Sequence, residues 1–555
     1  MSSDNGQNAT LTINGKVCSF EKGQTILQVA LENEIEIPHY CYHPGISIAA
    51  NCRICLAEVW APNPRNENKL EPIPKLLPTC QQPAGEGQVV YTDSPKAIAN
   101  QKSVMEYLLI NHPVDCAICD QAGECHLQDY SYQFGRGQAR FAEQKIKQPK
   151  KDLGPHVLLY SDRCIMCTRC VRFTREVTGT NELIVEGRGA FEQIDLFPGM
   201  ALDNELSANV IDMCPVGALL DKDFLFQQRV WFLTKTPSID GITASGDNIT
   251  IEHNKGVIYR LKPRFNLDVN RYWITDEVRY GWKFVHDEQR LLMPSIKGED
   301  PYQDTEAPLA YENAYQRVNE GLAGAQRIAA MISPMLSCED AYLLAMMVLQ
   351  HDPEAIFGVG PVPFHGEDKT FKDGFKLYAE KAPNARGVQR VLDKLASDRV
   401  LDSAAFFEKV KGDPMIDAAV ITGNYASDWV TADLDDSLRT KFIVAIDTLP
   451  NRITKRADVV LPGATWAEKA GTFENANNRL QAFERAINPI DYCKSEAQLA
   501  LDLMADFAGG SAEGYNAANV RSQMAHEHDL GEFISEVHMP KGAEEIESDM
   551  QMVEL

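Results

Sequence analysis

The chain has 555 residues, 14 cysteines and a formal net charge of -25 at pH 7. This length exceeds what one hydrophobic core can organise, and at roughly 100–200 residues per domain it predicts three or four domains. The acidic balance excludes nucleic acid as the main partner, because binding to a phosphate backbone relies on Lys and Arg.

No export or membrane signal is evident in the sequence. The start, MSSDNGQNATLTING, has neither the basic nor the apolar region of a secretory signal, and no stretch approaches the roughly 20 apolar residues of a membrane span. We therefore expect a soluble chain without a signal peptide or transmembrane segment. In a reducing compartment, clustered thiols hold metal more often than they form disulfides.

Local patterns predict the first elements. Residues 10–20, TLTINGKVCSF, alternate around an Asn-Gly turn, which predicts a hairpin, and QTILQVALEN predicts a short helix after it. A longer helix is expected over SPKAIANQKSVMEYLLINHP, with Ser94 as its N-cap and His112-Pro113 as its end.

After residue 230, apolar strands alternate with helical segments. The strand segments IAAMIS, AIFGVG, IDAAVITG, FIVAID and ADVVLPG, with a helix at CEDAYLLAMMVLQH, predict a parallel sheet with helices on both faces. The acidic end, GAEEIESDMQMVEL, is expected to be a disordered tail.

Eleven of the 14 cysteines, with one histidine, form three groups of four candidate ligands. The first group is Cys41, Cys52, Cys55 and Cys80; the second is His112, Cys116, Cys119 and Cys125; the third is Cys164, Cys167, Cys170 and Cys214. An iron–sulfur cluster needs four soft donors, of which C-x2-C steps supply two or three from one loop.

The first group resembles the plant-type [2Fe–2S] pattern with a longer first gap. The turn from Asn51 to Cys55 is expected to bring backbone N–H groups to the sulfurs. In the second group His112 replaces a thiolate, which removes a negative charge and is expected to raise the reduction potential. Zinc, bound by four cysteines or by three cysteines and a histidine, remains an alternative for each of these two groups.

The third group, CIMCTRC with a remote Cys214-Pro215, matches the bacterial ferredoxin pattern. In two-cluster ferredoxins the remote cysteine binds the other cluster, so an exchange of Cys125 and Cys214 stays open. Three arginines close to these cysteines either offset the negative charge of a cluster or are ordinary surface residues. They are Arg163, Arg169 and Arg172.

The remaining cysteines, Cys18, Cys338 and Cys493, are interpreted as small packed residues. The segment GVGPVPFHG at 358–366 lacks GxGxxG spacing and is interpreted as a loop. We predict no catalytic residue on this chain.

The segments HYCYHPGISIAANCRICLAEV, NHPVDCAICDQAGECHLQDYSYQFG, SDRCIMCTRCVRF and DMCPVGAL, in this order, resemble the family of the large, 75 kDa-type iron–sulfur subunit of respiratory complex I, NADH:quinone oxidoreductase. The resemblance implies one [2Fe–2S] cluster on the first group and [4Fe–4S] clusters on the second and third. At ADVVLPGATWAEKAGTFENANNRLQ the rear half resembles inactive relatives of the molybdopterin oxidoreductases.

Catalytic relatives carry a further C-x2-C-x3-C motif after the ferredoxin part, whereas the sequence between Cys214 and Cys338 has no cysteine. We therefore expect no fourth cluster and no molybdopterin, and we also expect no flavin on this chain. An iron-only hydrogenase shares the layout of the front half but requires further cysteines downstream.

The expected fold is multidomain, α+β and α/β. In chain order the predicted domains are a plant-type ferredoxin (β-grasp) [2Fe–2S] domain at 1–92, a His/Cys3 [4Fe–4S] domain at 93–144, a bacterial-ferredoxin-like [4Fe–4S] domain at 145–228, an inactive molybdopterin-oxidoreductase-like domain at 229–510 and an irregular acidic tail at 511–555.

The resemblance implies an electron-transfer subunit that relays electrons from a flavoprotein (FMN/NADH-binding) partner toward quinone. Its expected partners are that flavoprotein, a small [2Fe–2S] subunit and the quinone-module subunits, in the peripheral arm at the cytoplasmic face of the bacterial inner membrane. The NADH and quinone sites are expected on the partners. The alternatives are a zinc-stapled scaffold and, more distantly, an electron-input (diaphorase) subunit of a hydrogenase or formate dehydrogenase complex.

Overall fold

The structure is a computed structural model that describes residues 9–298 and 307–540. The chain divides into two compact units, one of Met1–Phe232 with Phe371–Asp373, the other of Leu233–Thr370 with Gly374–Leu555. Each unit has a hydrophobic core of its own. The predicted domain boundaries within the first unit remain predictions.

The first unit contains short strands and helices separated by long ligand-bearing loops. They are β1 (Ala9–Ile13), β2 (Lys16–Phe20), α1 (Ile26–Glu32), β3 (Leu56–Asn63), β4 (Lys69–Pro72), β5 (Leu77–Pro78), β6 (Val89–Tyr91), α2 (Pro95–Leu109), α3 (His126–Gln133), β7 (Lys150–Asp152), β8 (Val157–Tyr160), α4 (Arg169–Phe173), β9 (Leu183–Glu186), β10 (Gln193–Leu196), α5 (Asn209–Met213) and β11 (Leu219–Asp221).

The N-terminal sheet has the order β2-β1-β6-β3-β4, and β5 pairs with β3. The predicted hairpin is confirmed: β1 and β2 pair in antiparallel register around Asn14 (φ 48°) and Gly15 (φ 86°), the left-handed pair that a tight hairpin turn requires. The two predicted helices are also confirmed. Thr25 and Gln28 form a capping box at α1, and the Ser94 side chain accepts the N–H of Ala97 at α2.

The second unit begins with a three-stranded antiparallel sheet and continues as an α/β domain. Its elements are β12 (Thr234–Ile239), β13 (Asn248–Asn254), β14 (Val257–Pro263), α6 (Asp276–Tyr280), β15 (Ser295–Ile296), α7 (Ala307–Ala323), β16 (Arg327–Ile332), α8 (Cys338–His351), β17 (Ile356–Val359), β18 (Lys369–Thr370), β19 (Lys376–Leu377), α9 (Ala385–Ala396), β20 (Val400–Leu401), α10 (Ser403–Gly412), β21 (Ile416–Thr422), α11 (Ala432–Ser437), β22 (Phe442–Asp447), β23 (Val459–Pro462), β24 (Gly471–Glu474), β25 (Leu480–Phe483), α12 (Glu496–Phe507), α13 (Ala517–Glu527) and α14 (Glu532–Ser535).

The predicted parallel sheet with helices on both faces is confirmed. The seven strands have the order β15-β23-β22-β21-β16-β17-β20, and every pairing except β15 with β23 is parallel. Alternate residues of β16 enter two separate cores: Ile328 and Ala330 pack with α7, α8 and α12, whereas Ala329 and Met331 pack with α10 and α11. Such strands are buried on both faces, as a doubly wound sheet requires.

The prediction of an irregular segment from 511 is wrong for the described residues up to 540. Helices α13 and α14 lie there, and Val520, Met524 and Phe533 belong to the main core of the second unit. The sequence of α13 is mostly polar and therefore did not predict a buried helix. Two apolar residues four positions apart nevertheless suffice to bury one face of a helix. The predicted disordered end at 542–555 lies outside the described residues.

Within residues 9–298 and 307–540, every helix is too short or too polar to cross a bilayer.

Candidate metal centres

The four cysteines of the first group meet at one place beside the N-terminal sheet. The Sγ atoms of Cys55 and Cys80 are 3.6 Å apart, and the Cys41 thiol forms hydrogen bonds with the thiols of Cys52 and Cys80. These thiol contacts lower the pKa of Cys41. Loops after α1 and β5 and the turn before β3 therefore deliver four sulfur donors to one site.

Left-handed backbone shapes the turn around this site. Ala50 has φ 49° and Arg53 has φ 59°, and the backbone N–H groups of Asn51 and Cys52 donate hydrogen bonds to the Cys41 sulfur. Backbone amides therefore contact the Cys41 sulfur, as the sequence predicted. Such donors stabilise negative charge on sulfur and so influence the potential of a bound cluster.

All four members of the second group line one small cavity, together with Arg163 and Gly217. His112 follows α2, Cys116 begins a short 3-10 helix (Cys116–Ile118), and Cys125 immediately precedes α3. The N–H groups of Leu127 and Gln128 point to the Cys125 sulfur, although burial raises the pKa of that thiol to about 12.

His112 is suited to act as a neutral ligand. Its Nδ1 atom is buried and has no hydrogen-bond partner among the described residues. Burial lowers the pKa of His112 to about 4, so the imidazole is neutral at pH 7. A buried imidazole nitrogen left without a partner is costly, and coordination to a metal would satisfy it.

All four members of the third group line a second small cavity, whose other walls include Leu159, Ile194 and Leu219. Burial in this apolar environment raises the pKa of Cys164 to about 12 and that of Cys167 to about 11. Because these pKa values are raised, the thiols of this group lose their protons only when a cation stabilises the thiolate form. Three backbone N–H groups of the segment after Cys214 approach the Cys214 sulfur. They belong to Val216, Ala218 and Leu219.

The structure places Cys214 with Cys164, Cys167 and Cys170, and Cys125 with the second group. The two remote cysteines are not exchanged between the cavities.

The interpretation of the three arginines as surface residues is wrong. Arg163, Arg169 and Arg172 are only 2, 6 and 4% exposed. The Arg163 guanidinium forms a 3.0 Å ion pair with Asp115 and lies over the Tyr160 ring.

Arg169 and Arg172 connect loops that carry ligands. Arg169 donates to the carbonyl oxygens of Met213 and Tyr42, each adjacent in sequence to a ligand cysteine. Arg172 donates to the carbonyl oxygens of two ligand cysteines, Cys41 at 2.5 Å and Cys167 at 3.3 Å. Buried guanidinium groups at these positions would offset negative charge on the ligands of the first and third groups.

In the described ranges, no group of three or more His, Cys, Asp or Glu side chains has the arrangement that holds a metal ion. The second and third groups surround cavities instead, and the first group gathers its thiols in direct contact. Sets of four soft donors around a cavity fit a cluster of several irons, which is wider than one ion. Seven of the eleven candidate ligand cysteines are buried, whereas Cys116 is exposed. The burial of these seven and the orphaned imidazole nitrogen of His112 support the same fit.

Two residues of the second site lay outside our sequence predictions. A Cβ atom at Gly217 would lie 2.2 Å from the Cys119 sulfur, so only glycine permits this approach. Asp115 holds Arg163 against the cavity. The sequence feature that could have indicated Gly217 is its position three residues after a candidate ligand cysteine, in the segment CPVG.

The other cysteines are packed, as predicted. Cys18 lies in the core of the N-terminal sheet, and Cys338 is fully buried at the start of α8. The Cys493 thiol donates to the carbonyl oxygen of Leu291 at 3.1 Å. Burial raises the thiol pKa of all three.

In the second unit, the sheet reverses its strand order between β16 and β21, where doubly wound sheets usually bind ligands. Beyond β21 the rings of Tyr425 and Trp429 stack with centroids 4.8 Å apart. The Asp447 carboxylate accepts the N–H of Asn424 and the indole N–H of Trp429. Tyr425 and Trp429 thus follow the carboxyl end of β21, and Asp447 is the last residue of β22.

Five family descriptions match segments of the chain in order. They are a 2Fe-2S iron-sulfur cluster binding domain at 6–95, the NADH-ubiquinone oxidoreductase-G iron-sulfur binding region at 101–140, the ferredoxin-like domain of NADH-quinone oxidoreductase subunit 3 at 154–220, the NADH-ubiquinone oxidoreductase NDSU1/NuoG-like 4Fe-4S domain at 233–283 and molybdopterin oxidoreductase at 413–505. The fourth segment, 233–283, contains no cysteine in this chain.

Two curated relatives and one solved structure illustrate the similarity. The chain is 44% identical over 288 residues to the mitochondrial NADH dehydrogenase [ubiquinone] iron-sulfur protein 1 of Solanum tuberosum, covering 52% of this chain and 37% of that protein. It is 35% identical over 432 residues to the mitochondrial NADH-ubiquinone oxidoreductase 78 kDa subunit of Neurospora crassa, covering 77% of this chain and 54% of that protein. An NAD+-reducing [NiFe]-hydrogenase in the H2-reduced state aligns at 27% identity and a TM-score of 0.34, over 40% of this chain and 91% of that chain.

The hydrogenase likeness is too low to carry an argument. The chain spans about half or less of the length of the two curated relatives. The order of the matched segments and the identity to these relatives agree with the resemblance expected from the cysteine motifs. The chain is therefore similar, in the order of its matched segments and in sequence identity, to the large iron–sulfur subunits of NADH:quinone oxidoreductase, respiratory complex I.

Proposed function

We propose that this chain is an electron-transfer subunit of the proton-translocating NADH:quinone oxidoreductase, relaying electrons from a flavoprotein toward quinone. The observation that carries the proposal is that the first unit holds three sets of four soft donors, with buried arginines connecting the loops that carry them. When bound, iron–sulfur clusters supply one-electron redox chemistry at these sites.

The chain's own residues bind and tune the redox groups. We assign a [2Fe–2S] cluster to the first group, a His-ligated [4Fe–4S] cluster to the second group and an all-cysteine [4Fe–4S] cluster to the third. The amides directed at Cys41, Cys125 and Cys214 lend partial positive charge to ligand sulfurs.

Contacts between the loops connect each of the three groups with the other two. Arg172 hydrogen-bonds to ligand residues of the first and third groups. The segment 214–218 connects the third and second groups, because Cys214 lines one cavity and Gly217 lines the other. The first and second groups approach each other through two aromatic rings, Tyr40 and Tyr130, whose centroids are 5.3 Å apart.

The NADH and quinone sites are proposed to lie on partner subunits. These partners are the flavoprotein that binds FMN and NADH, a small [2Fe–2S] subunit and the quinone-module subunits, in the peripheral arm at the cytoplasmic face of the bacterial inner membrane. We propose that the second unit is scaffold without molybdopterin. Its support is the pair of stacked rings, Tyr425 and Trp429, beyond the position where the strand order reverses.

Metal analysis of the anaerobically purified full chain tests the proposal. Ten iron atoms and an equal amount of acid-labile sulfide are expected, the total for one [2Fe–2S] and two [4Fe–4S] clusters. Cys18→Ala is the matched control, because this buried cysteine belongs to no group and its loss leaves the iron content unchanged. Stoichiometric zinc without sulfide would refute the proposal in favour of a zinc-stapled scaffold.

A further inference from the structure

We propose that Arg172 is a positioning residue that joins the first and third groups and raises the reduction potentials of the clusters at both. This inference rests on the proposed function, because it requires clusters at the two groups.

Arg172 lies on α4, and its guanidinium bonds to loops that are far apart in sequence. One nitrogen donates to the carbonyl oxygen of Cys41 at 2.5 Å and to that of Cys167 at 3.3 Å. The other terminal nitrogen donates to the carbonyl oxygen of Ser47, in the loop between Cys41 and Cys52. One side chain therefore holds the first-group loop against the third-group loop.

Nearby contacts reinforce the same junction. The Glu176 carboxylate accepts the N–H of Ser47 at 2.8 Å and its hydroxyl at 2.7 Å. The Asn51 side chain donates to the carbonyl oxygen of Met166 at 3.3 Å, between Cys164 and Cys167. The distance between the two groups is thus set by several hydrogen bonds, of which those of Arg172 are the most buried.

The charge of Arg172 is not neutralised by an ion pair within the described residues. Its side chain is 4% exposed and its acceptors are neutral: three carbonyl oxygens and the Thr168 hydroxyl. The Glu176 carboxylate lies near enough to act on the guanidinium by its charge but forms no ion pair with it, and a buried charge without a direct ion-pair partner is costly. Thiolate-ligated clusters carry net negative charge, so occupied first and third groups would supply further counter-charge from two sides.

Two consequences follow for redox chemistry. A fixed positive charge favours the reduced, more negative form of each neighbouring cluster, and a low-dielectric environment strengthens this effect. Lysine cannot replace arginine fully, because an ammonium group is a point charge whereas the planar guanidinium directs donors to several acceptors at fixed angles.

The test is an EPR-monitored redox titration of the anaerobically purified full chain and of Arg172→Gln, Arg172→Lys and Arg175→Gln. Arg175 is the matched control, since it lies three residues away, is largely exposed and forms an ion pair with Glu176. We expect Arg172→Gln to shift the midpoint potentials of the first-group and third-group clusters to more negative values. Arg172→Lys is expected to shift both in the same direction by a smaller amount, and Arg175→Gln to shift neither.

Unchanged potentials in Arg172→Gln with full iron content would overturn the inference, as would equal shifts in Arg175→Gln. If Arg172→Gln fails to retain iron, the midpoint potentials of Arg172→Lys become the test. Potentials in that variant equal to those of the unmodified chain would overturn the inference. Failure of the proposed function has a different signature, because the unmodified chain would then contain zinc and give no cluster signal.

Discussion

Replacing Gly217 by alanine places a methyl group inside the second candidate metal centre. The new Cβ would lie 2.2 Å from the Cys119 sulfur and 3.0 Å from the Cβ of Gln121. Since non-bonded heavy atoms rest at about 3.5–4.0 Å, the sulfur must retreat by about 1.5 Å. Overpacking of this kind costs about 1–3 kcal/mol, and here the displaced atom is a proposed ligand.

We expect Gly217→Ala to lose the cluster of the second group while the first and third keep theirs. Iron content should fall from about ten to about six atoms per chain, the loss of one [4Fe–4S] cluster. In EPR spectra of the reduced protein, the signal of the His-ligated cluster should disappear and the other two should remain.

Gly137→Ala provides the control, because nothing lies within 4 Å of a Cβ built at Gly137. Full iron content and an unchanged second-group signal in Gly217→Ala would refute the reasoning. Loss of all three clusters would also refute it, since it would indicate general misfolding rather than displacement of one ligand.

Three further outcomes are expected. His112→Cys should keep the cluster but lower its midpoint potential, because a thiolate adds negative charge; an unchanged potential in a redox titration would contradict ligation by His112. Cys167→Ala in the assembled complex should abolish quinone-linked NADH oxidation and spare NADH oxidation with an artificial acceptor at the flavin, and persistent quinone reduction would disprove the relay. Arg521→Met should lower the free energy of unfolding of the second unit by about 3–5 kcal/mol in denaturant titrations, because the buried Glu339 carboxylate loses its ion-pair partner and keeps hydrogen bonds from Thr472. Iron content should stay constant in this variant. Gln523→Ala, which removes a solvent-exposed hydrogen bond to Glu527 within α13, should leave stability unchanged.

Short-range patterns predicted the local structure well. The Asn14-Gly15 turn and the capping residues Thr25 and Ser94 specify their elements through contacts within a few residues. Helix α13 escaped prediction because its stability comes from distant residues, with Val520 and Met524 in the core and Arg521 paired with Glu339.

The sequence by itself predicted which residues are candidate cluster ligands, because soft donors at C-x2-C spacing reach one site from one loop. It also determined that 233–283 offers no cysteine for a further cluster. Only the tertiary structure decided which remote cysteine joins which group, that three arginines are buried, and that Gly217 touches a ligand sulfur. These features depend on loops more than 40 residues apart in sequence, such as Cys41 and Arg172, and the packing of the folded chain alone brings them together.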